Sequence, residues 1–201
     1  MLDFEMDTEE IERRRQVVRA EVSIEAAGGM EVITCTDFPD LWCPEGKKGH
    51  MSDDVCAGYS ASFFERFSRP ANNKIFARFG GGMLHNCGPN PAIDHYLWHE
   101  PRIYAVDLAY TYSKGDLERI REAFDHRGIV YFYLEDGTTE EKLRDFQHIM
   151  ETLTPKVIAI PCLRIPPEED AKAVYGAFRK VAPAWRQTGR SMPRGWIGDG
   201  E

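Results

Sequence analysis

The chain lacks any apolar run near the roughly 18 residues that a membrane-spanning helix needs. It also lacks an excess of basic residues, with 25 Lys and Arg against 33 Asp and Glu and a net charge of −8. An acidic surface repels nucleic-acid phosphates and anionic lipid, so neither a nucleic acid nor a membrane is expected as a partner. The opening residues, Met1-Leu-Asp-Phe-Glu-Met-Asp-Thr-Glu-Glu10, lack the basic-then-apolar order of a secretory leader, and a cytoplasmic location is expected. Cysteine is sparse and odd in number, five in 201 residues. A chain of this size builds a core without staples, so thiols or metal ligands are expected rather than a disulfide framework. Repeats and low-complexity segments are missing too. With 42% hydrophobic and 29% charged residues, the composition is that of one soluble domain spanning 1–201.

What is present is an alternation of strand and helix patterns. Thr8 to Ala27 carries Ile11, Val18, Val22 and Ile24 among charges and predicts an N-terminal helix, ended by Gly28-Gly29. Glu31 to Thr36 predicts a short strand with Asp37 after it. Phe38 to Gly58 is rich in Pro, Gly and Asp and reads as one long loop, of the kind that is usually functional. Ser60 caps a helix that Pro70 kinks or divides, and Gly80-Gly81-Gly82 leads into a strand ending at His85. A short helix is expected over Pro91–Trp98, a strand over Ile103–Leu108 and an amphipathic helix over Asp116–His126. Then come a strand at Ile129–Leu134 and a helix opened by the capping box Thr138-x-x-Glu141. A strand at Val157–Pro161, a helix from Pro166 to Val181 and a tail over 184–201 complete the chain. The pattern gives five strands in a parallel sheet covered by helices, an α/β fold.

In parallel α/β folds the chemistry collects at the C-terminal ends of the strands. Those ends present Asp37, then His85 and Cys87, then Asp107, then Glu135 and Asp136, then Cys162. A histidine and a cysteine two apart on an extended strand point to one side and offer an imidazole and a thiolate to a single ion. Cys162 stands at the end of another apolar strand. Against this, Cys35 reads as a small core residue, and Cys43 and Cys56 as incidental loop thiols. Asp37 and Asp107 read equally as helix caps or as functional carboxylates. His95, His99, His126 and His148 lie in or beside helices and read as surface residues. Two thiolates and an imidazole would leave one position open on a tetrahedral zinc, and the thiolates would cancel the ion's charge. Such an ion binds a further thiol and holds it as a nucleophile more readily than it activates water.

His85-Asn-Cys87-Gly88 resembles the His-x-Cys-Gly stretch of the uroporphyrinogen decarboxylase-like superfamily, and its methyltransferase branch in particular. That branch comprises the methylcobamide:coenzyme M methyltransferases and related corrinoid demethylase components. Ser52-Asp53-Asp54, leading into the Phe63, Phe64, Phe67 and Pro70 helix, is similar to the family's Asp-rich loop and following helix. Asp107 and Asp116-Leu117 are similar to the strand and helix after the metal strand. The resemblance covers roughly residues 25 to 182. It implies a (β/α)8 TIM barrel, of which this chain would be the C-terminal portion of about five units. It implies zinc held by His85, Cys87 and Cys162, with Asp37, Asp107 and Glu135 in catalytic roles and Asp53 and Asp54 binding the cofactor or substrate. The implied activity is methyl transfer from a methylated corrinoid, carried by a partner protein, to a small thiol. The other branch implies metal-free decarboxylation of a porphyrinogen, with Asp37 stabilising pyrrole nitrogens. An Arg-rich N-terminal segment that grips the porphyrinogen there is missing here. Five strands cannot close an eight-stranded barrel, and an open portion leaves apolar edges. Association with a missing N-terminal half-barrel chain or with another copy is therefore expected, and a non-catalytic, partner-binding half-barrel is the third reading.

Overall fold

Strands separated by helices pair in parallel, because each crossover returns the chain to the same end of the sheet. The computed structural model describes residues 21–29, 31, 48–96, 103–125, 128–154 and 156–181. Among them are five strands: β1 (Gly49–Ser52), β2 (Gly82–Asn86), β3 (Ile103–Ala109), β4 (Ile129–Tyr133) and β5 (Ile158–Cys162). All four pairings are parallel, and the spatial order is the sequence order. Residues 21–27 are helical, as expected for the end of the first helix. The strand expected at Glu31–Thr36, with Cys35 and Asp37, falls outside the described residues apart from Glu31, which lies in a turn. Cys43 and the tail 184–201 also lie outside them.

The expected long loop contains structure. Gly49–Ser52 pairs with β2, and a 3-10 turn, Asp54–Gly58, follows it. The strand is only four residues long, and it and β2 each open on a glycine that the packing requires. A Cβ on Gly49 would come 2.6 Å from the Gly81 carbonyl, and one on Gly82 would sit inside the Phe76 ring. Both strands thus start beneath one aromatic side chain.

Pro70 does not break its helix. Ser60 caps the first turn, Ala61–Phe63, by accepting the Phe63 N–H at 3.2 Å. A wide turn over Phe64–Ser68 follows, in which the Arg69 N–H reaches back five residues to the Phe64 carbonyl. The helix then runs on as α1 (Arg69–Arg78), with Pro70 in its first turn, where its missing N–H costs little. The helix expected at Pro91–Trp98 is a turn and a 3-10 segment, Ile93–His95, as far as it is described. The helix expected to start at Asp116 is α2 (Leu117–Ala123), preceded by shorter turns over Tyr110–Ser113 and Lys114–Asp116. The capping box forms as its sequence predicts. Thr138 accepts the Glu141 N–H at 3.3 Å, and Glu141 accepts the Thr138 N–H at 2.8 Å, which opens α3 (Thr139–Leu153). The last helix is α4 (Ala171–Val181).

Crossovers of one hand between strands in sequential order put every helix on the same face of the sheet. Among the described residues the main core is built that way. Leu84, Val106, Leu108, Val130 and Phe132 of the sheet pack against Phe76, Ile120, Phe124, Phe146, Ile149 and Phe178 of the helices. Strand alternation puts the intervening residues on the opposite face. There Met83, Ala105 and Tyr131 form a small second cluster, joined by Tyr133, Ile160 and Cys162. His50, His85 and Asp107 share this face. The His50 imidazole on β1 reaches Asp107 on β3, at 2.9 Å, past the intervening β2. Strands two apart in a sheet stand roughly 9–10 Å from each other. Their side chains meet here as on the concave side of a curved sheet.

Candidate metal centre

β2 carries His85 on the concave face and Asn86 on the helix face, and Cys87 follows just beyond the strand. The fully buried Asn86 fixes the turn that ends it. Its Oδ1 accepts the Gly88 N–H at 2.7 Å, and its amide donates to the Tyr96 hydroxyl at 3.1 Å. Gly88 has φ +99°, and a Cβ there would lie 2.8 Å from the Ser113 hydroxyl, so the turn needs glycine on two counts. Cys87 is also tied by its own N–H, which donates to Asp54 at 3.0 Å.

The adjacent aspartates after β1 divide their roles. The Asp53 N–H extends the sheet pattern by donating to the His85 carbonyl at 2.9 Å, while its buried carboxylate accepts the Asn72 amide of α1 at 3.1 Å. Asp53 therefore braces the loop against α1. The exposed Asp54 accepts the Ser52 hydroxyl at 2.9 Å and lies 3.4 Å from His85 Nε2.

His85 is the junction. Its Nδ1 donates to Asp107 Oδ2 at 2.6 Å, and its Nε2 lies 3.3 Å from Cys87 Sγ. The other Asp107 oxygen accepts from His50 Nε2 at 2.9 Å. An ionised carboxylate only accepts, so both imidazoles donate to it, and in the neutral form of His85 the lone pair lies on Nε2, toward Cys87 and Asp54. Ligand atoms of Asp54, His85 and Cys87 all lie within 4.8 Å of one another, a group able to hold a metal ion. Asp107 does not stand at a strand end, as the sequence suggests, but inside β3. It is fully buried and bonded from both sides.

The charges agree with this arrangement. Burial works to raise the Asp107 carboxyl, but the hydrogen bonds and charges of His50 and His85 hold it below the ordinary carboxylate range. Burial likewise works to lower His85, and is outweighed by the Asp107 hydrogen bond and by the charges of Asp107 and Asp54, so its pKa is raised. Asp54 is lowered against its own burial by the Cys87 N–H and the Ser52 hydroxyl. The Cys87 thiol is pushed up to about 11 by burial, by its contact with Asp54 and by the negative charges of Asp54, Glu135 and Asp107.

Two readings fit the same atoms, and the direction of that last shift favours the second of them. Cys87, His85 and Asp107 form a chain of the kind found in cysteine nucleophiles, which work by a depressed thiol pKa. Here the surroundings push the thiol the other way, leaving on the order of one thiolate in 10⁴ at neutral pH. A divalent cation among these groups would attract each negative charge and favour the thiolate, offsetting the burial and repulsion that now oppose it. The donor set also fits one: a carboxylate oxygen, an imidazole nitrogen and a thiolate sulfur suit tetrahedral zinc with one position open. Asp107 stands behind His85 where an outer carboxylate would orient the imidazole of such a site.

The remaining sequence candidates are distributed as follows. Cys162 is half-buried at the end of β5, on the concave face, and lies outside the three-residue group. The register runs His85, Asp107, Tyr131, Ile160 across the sheet, and Cys162 is two residues further along β5. Three strand spacings, roughly 14 Å, separate β5 from β2. Glu135 is exposed beyond β4, and its charge reaches Cys87. Asp136 accepts the Thr111 hydroxyl at 2.7 Å. His95 bonds Glu65 at 3.0 Å, and His148 is exposed on α3. Sequence reasoning passed over His50, which sits in the unpredicted β1, and Tyr133, whose ring stands edge-on to His85 at 6.2 Å. No helix among the described residues is long and apolar enough to cross a membrane. Comparisons with protein-family models, curated proteins and solved structures gave no match to this chain.

Proposed function

We propose that Asp54, His85 and Cys87 hold a zinc ion that serves methyl transfer from a methylated corrinoid to a thiol. The observation that carries the reading is the convergence of those three donors, with His85 locked by Asp107 so that Nε2 faces them. One thiolate and one carboxylate balance the ion's two charges, the same balance that two thiolates would give. A zinc ion there supplies an open position for the acceptor thiol and lowers its pKa, so that its sulfur can take the methyl carbon while the Co–C electron pair stays on cobalt.

The chain's own residues do the rest. Asp107 fixes the His85 tautomer, and Asn86 with Gly88 fixes where Cys87 stands. The Glu135 carboxylate, outside the ligand set but near enough for its charge to act on Cys87, would accept the acceptor thiol's proton. Asp37 is the further carboxylate that the resemblance offers for substrate contact. Cys162 faces the same concave surface but stands outside the ligand set, so the open position is left to the acceptor thiol. The singly wound order, with helices on one face and the site at the strands' C-terminal rim, supports the reading of this fold as part of a (β/α)8 barrel.

The test follows methylcobalamin spectrally with a simple thiol and the zinc-loaded chain. The expected result is demethylation that stops on chelation and in Cys87→Ser. Turnover that is indifferent to both would overturn the proposal. A second reading, a half-barrel that binds a partner chain, is favoured by the open side of β5. All five of its residues are half-exposed. A chain that binds zinc, transfers no methyl group alone and elutes with the product of a neighbouring gene would select it.

A further inference from the structure

The Asp107 carboxylate is held from two sides, and only one side is a ligand. His85 takes Oδ2 and faces the metal group; His50 takes Oδ1, and its own side chain is fully buried. The two imidazoles come from strands that do not pair with each other. His50 stands opposite Met83 in the β1–β2 register, and Asp107 stands opposite His85, two residues further along β2. The His50–Asp107 bond therefore runs diagonally over β2 on the concave face. A carboxylate with one fixed oxygen can still turn about its Cβ–Cγ bond. With both oxygens fixed it cannot turn, and the Oδ2 lone pair stays aimed at His85 Nδ1.

We infer that His50 is a positioning residue for the metal centre: through Asp107 it sets the ring orientation and tautomer of His85, and so presents Nε2 as a ligand. This rests on the metal reading for its purpose but not for its geometry, which belongs to the chain itself. His50 is not one of the three donors of the group, and the hydrogen bonds by which it can set the His85 ring run through Asp107. Supporting groups must hold a ligand within about 0.5 Å and 10–20° to be useful, and loss of an outer partner typically lowers metal affinity about 10–100-fold.

Two substitutions separate positioning from mere packing. His50→Gln carries an amide N–H at about the reach of Nε2, and His50→Asn carries the same group too short to reach. Circular dichroism and thermal unfolding establish that both fold. The first readout needs no metal: ¹⁵N NMR of the imidazole nitrogens, with the His85 signals assigned by their loss in His85→Gln. At a pH above the raised His85 pKa, the wild type and His50→Gln are expected to show the Nδ1–H form of His85, and His50→Asn a mixture with the Nε2–H form. The second readout is zinc affinity by competition with a chromophoric chelator. It is expected to fall about 10–100-fold in His50→Asn and to recover most of that in His50→Gln. A wild type that holds no zinc, while its His85 tautomer still follows residue 50, defeats the metal reading and upholds the positioning role. Zinc bound equally by all three proteins with an unchanged His85 tautomer overturns the positioning role and leaves the metal reading standing. If neither variant folds, the same ¹⁵N comparison on His50→Gln refolded with zinc decides it, a lost Nδ1–H form overturning the inference.

Discussion

The two ends of the concave face are built in opposite ways. Across β1 to β3, His50, His85 and Asp107 are buried and bonded to one another, with Asp54 and Cys87 held at the edge by backbone and hydroxyl donors. Across β4 and β5 the face is Tyr131, Tyr133, Ile160 and Cys162, and the sheet stops at a half-exposed strand. Beside that strand lies an apolar cavity of about 400 Å³, with Phe146, Met150, Ile158, Ile160, Tyr175 and Phe178 in its lining. One end is a hydrogen-bonded polar constellation; the other is an apolar margin that includes Cys162. The contrast teaches that the grouped donors and their supporting carboxylate are assembled by β1 to β3 and the turns that follow them, at the far end of the sheet from β5.

The largest effect should come from the junction of the polar end. His85→Ala removes the only nitrogen ligand and is expected to lower zinc affinity at least about 100-fold, with Asp54→Asn losing about 10-fold or more, measured by chelator competition. Equal affinity in all three proteins would erase the contrast between the ends. Next is stability. Asp107→Ala leaves two buried imidazoles without their acceptor and should cost about 3–5 kcal/mol in urea unfolding, as for other broken buried pairs. Cys162→Ser, at the half-exposed margin, should cost less than about 1 kcal/mol. Similar costs for the two would mean that the polar end is not the more tightly built.

The pH response sharpens the same contrast. His85 is raised from 6.5, so its contribution to the stability of the metal-free protein is full below that value and fades as pH rises through the raised one. Asp107 is lowered from 3.8, so its contribution is full above 3.8 and fades as pH falls through the lowered value. The metal-free protein should therefore gain most from this pair between 3.8 and 6.5. Metal affinity runs the other way. His85 and Cys87, the latter at about 11, must give up protons to bind, so affinity should climb by about tenfold per pH unit for each proton released. Unfolding curves with and without zinc at pH 6 and pH 8 check both signs; parallel changes would contradict them. The smallest effect is local. Asp54→Asn removes one of the charges that raise the Cys87 thiol and should speed its alkylation severalfold in metal-free protein at pH 8, followed by mass spectrometry.

Much of the fold was legible because its signals are local. The Thr138-x-x-Glu141 box and the spacing of Phe146, Ile149 and Leu153 define α3 without reference to the rest of the chain. The His85-x-Cys87 pair was legible from its two-residue spacing, although Cys87 lies just past the strand and is held beside His85 by the following turn and by Asp54. β1 was not. Its four residues contain no long apolar side chain except Met51, and their register depends on Phe76 lying over Gly49 and Gly82, which only tertiary packing supplies. His50 was lost with it. The division between Asp53 and Asp54 was equally hidden, because it hangs on Asn72, nineteen residues away on α1. Cys162 shows the limit most clearly. Its strand-end position could be read from an apolar run, but its three-strand distance from β2 is a matter of sheet order, and no spacing in the sequence encodes that.

Zinc content and affinity of Cys87→Ser and Cys162→Ser, measured side by side with the wild type, test the central claim most directly. The account expects one zinc per wild-type chain, an affinity loss of at least about 100-fold in Cys87→Ser, and a change within about threefold in Cys162→Ser. An equal loss in both variants would contradict it, because the ion would then be held by His85 and two thiolates drawn from opposite ends of the sheet.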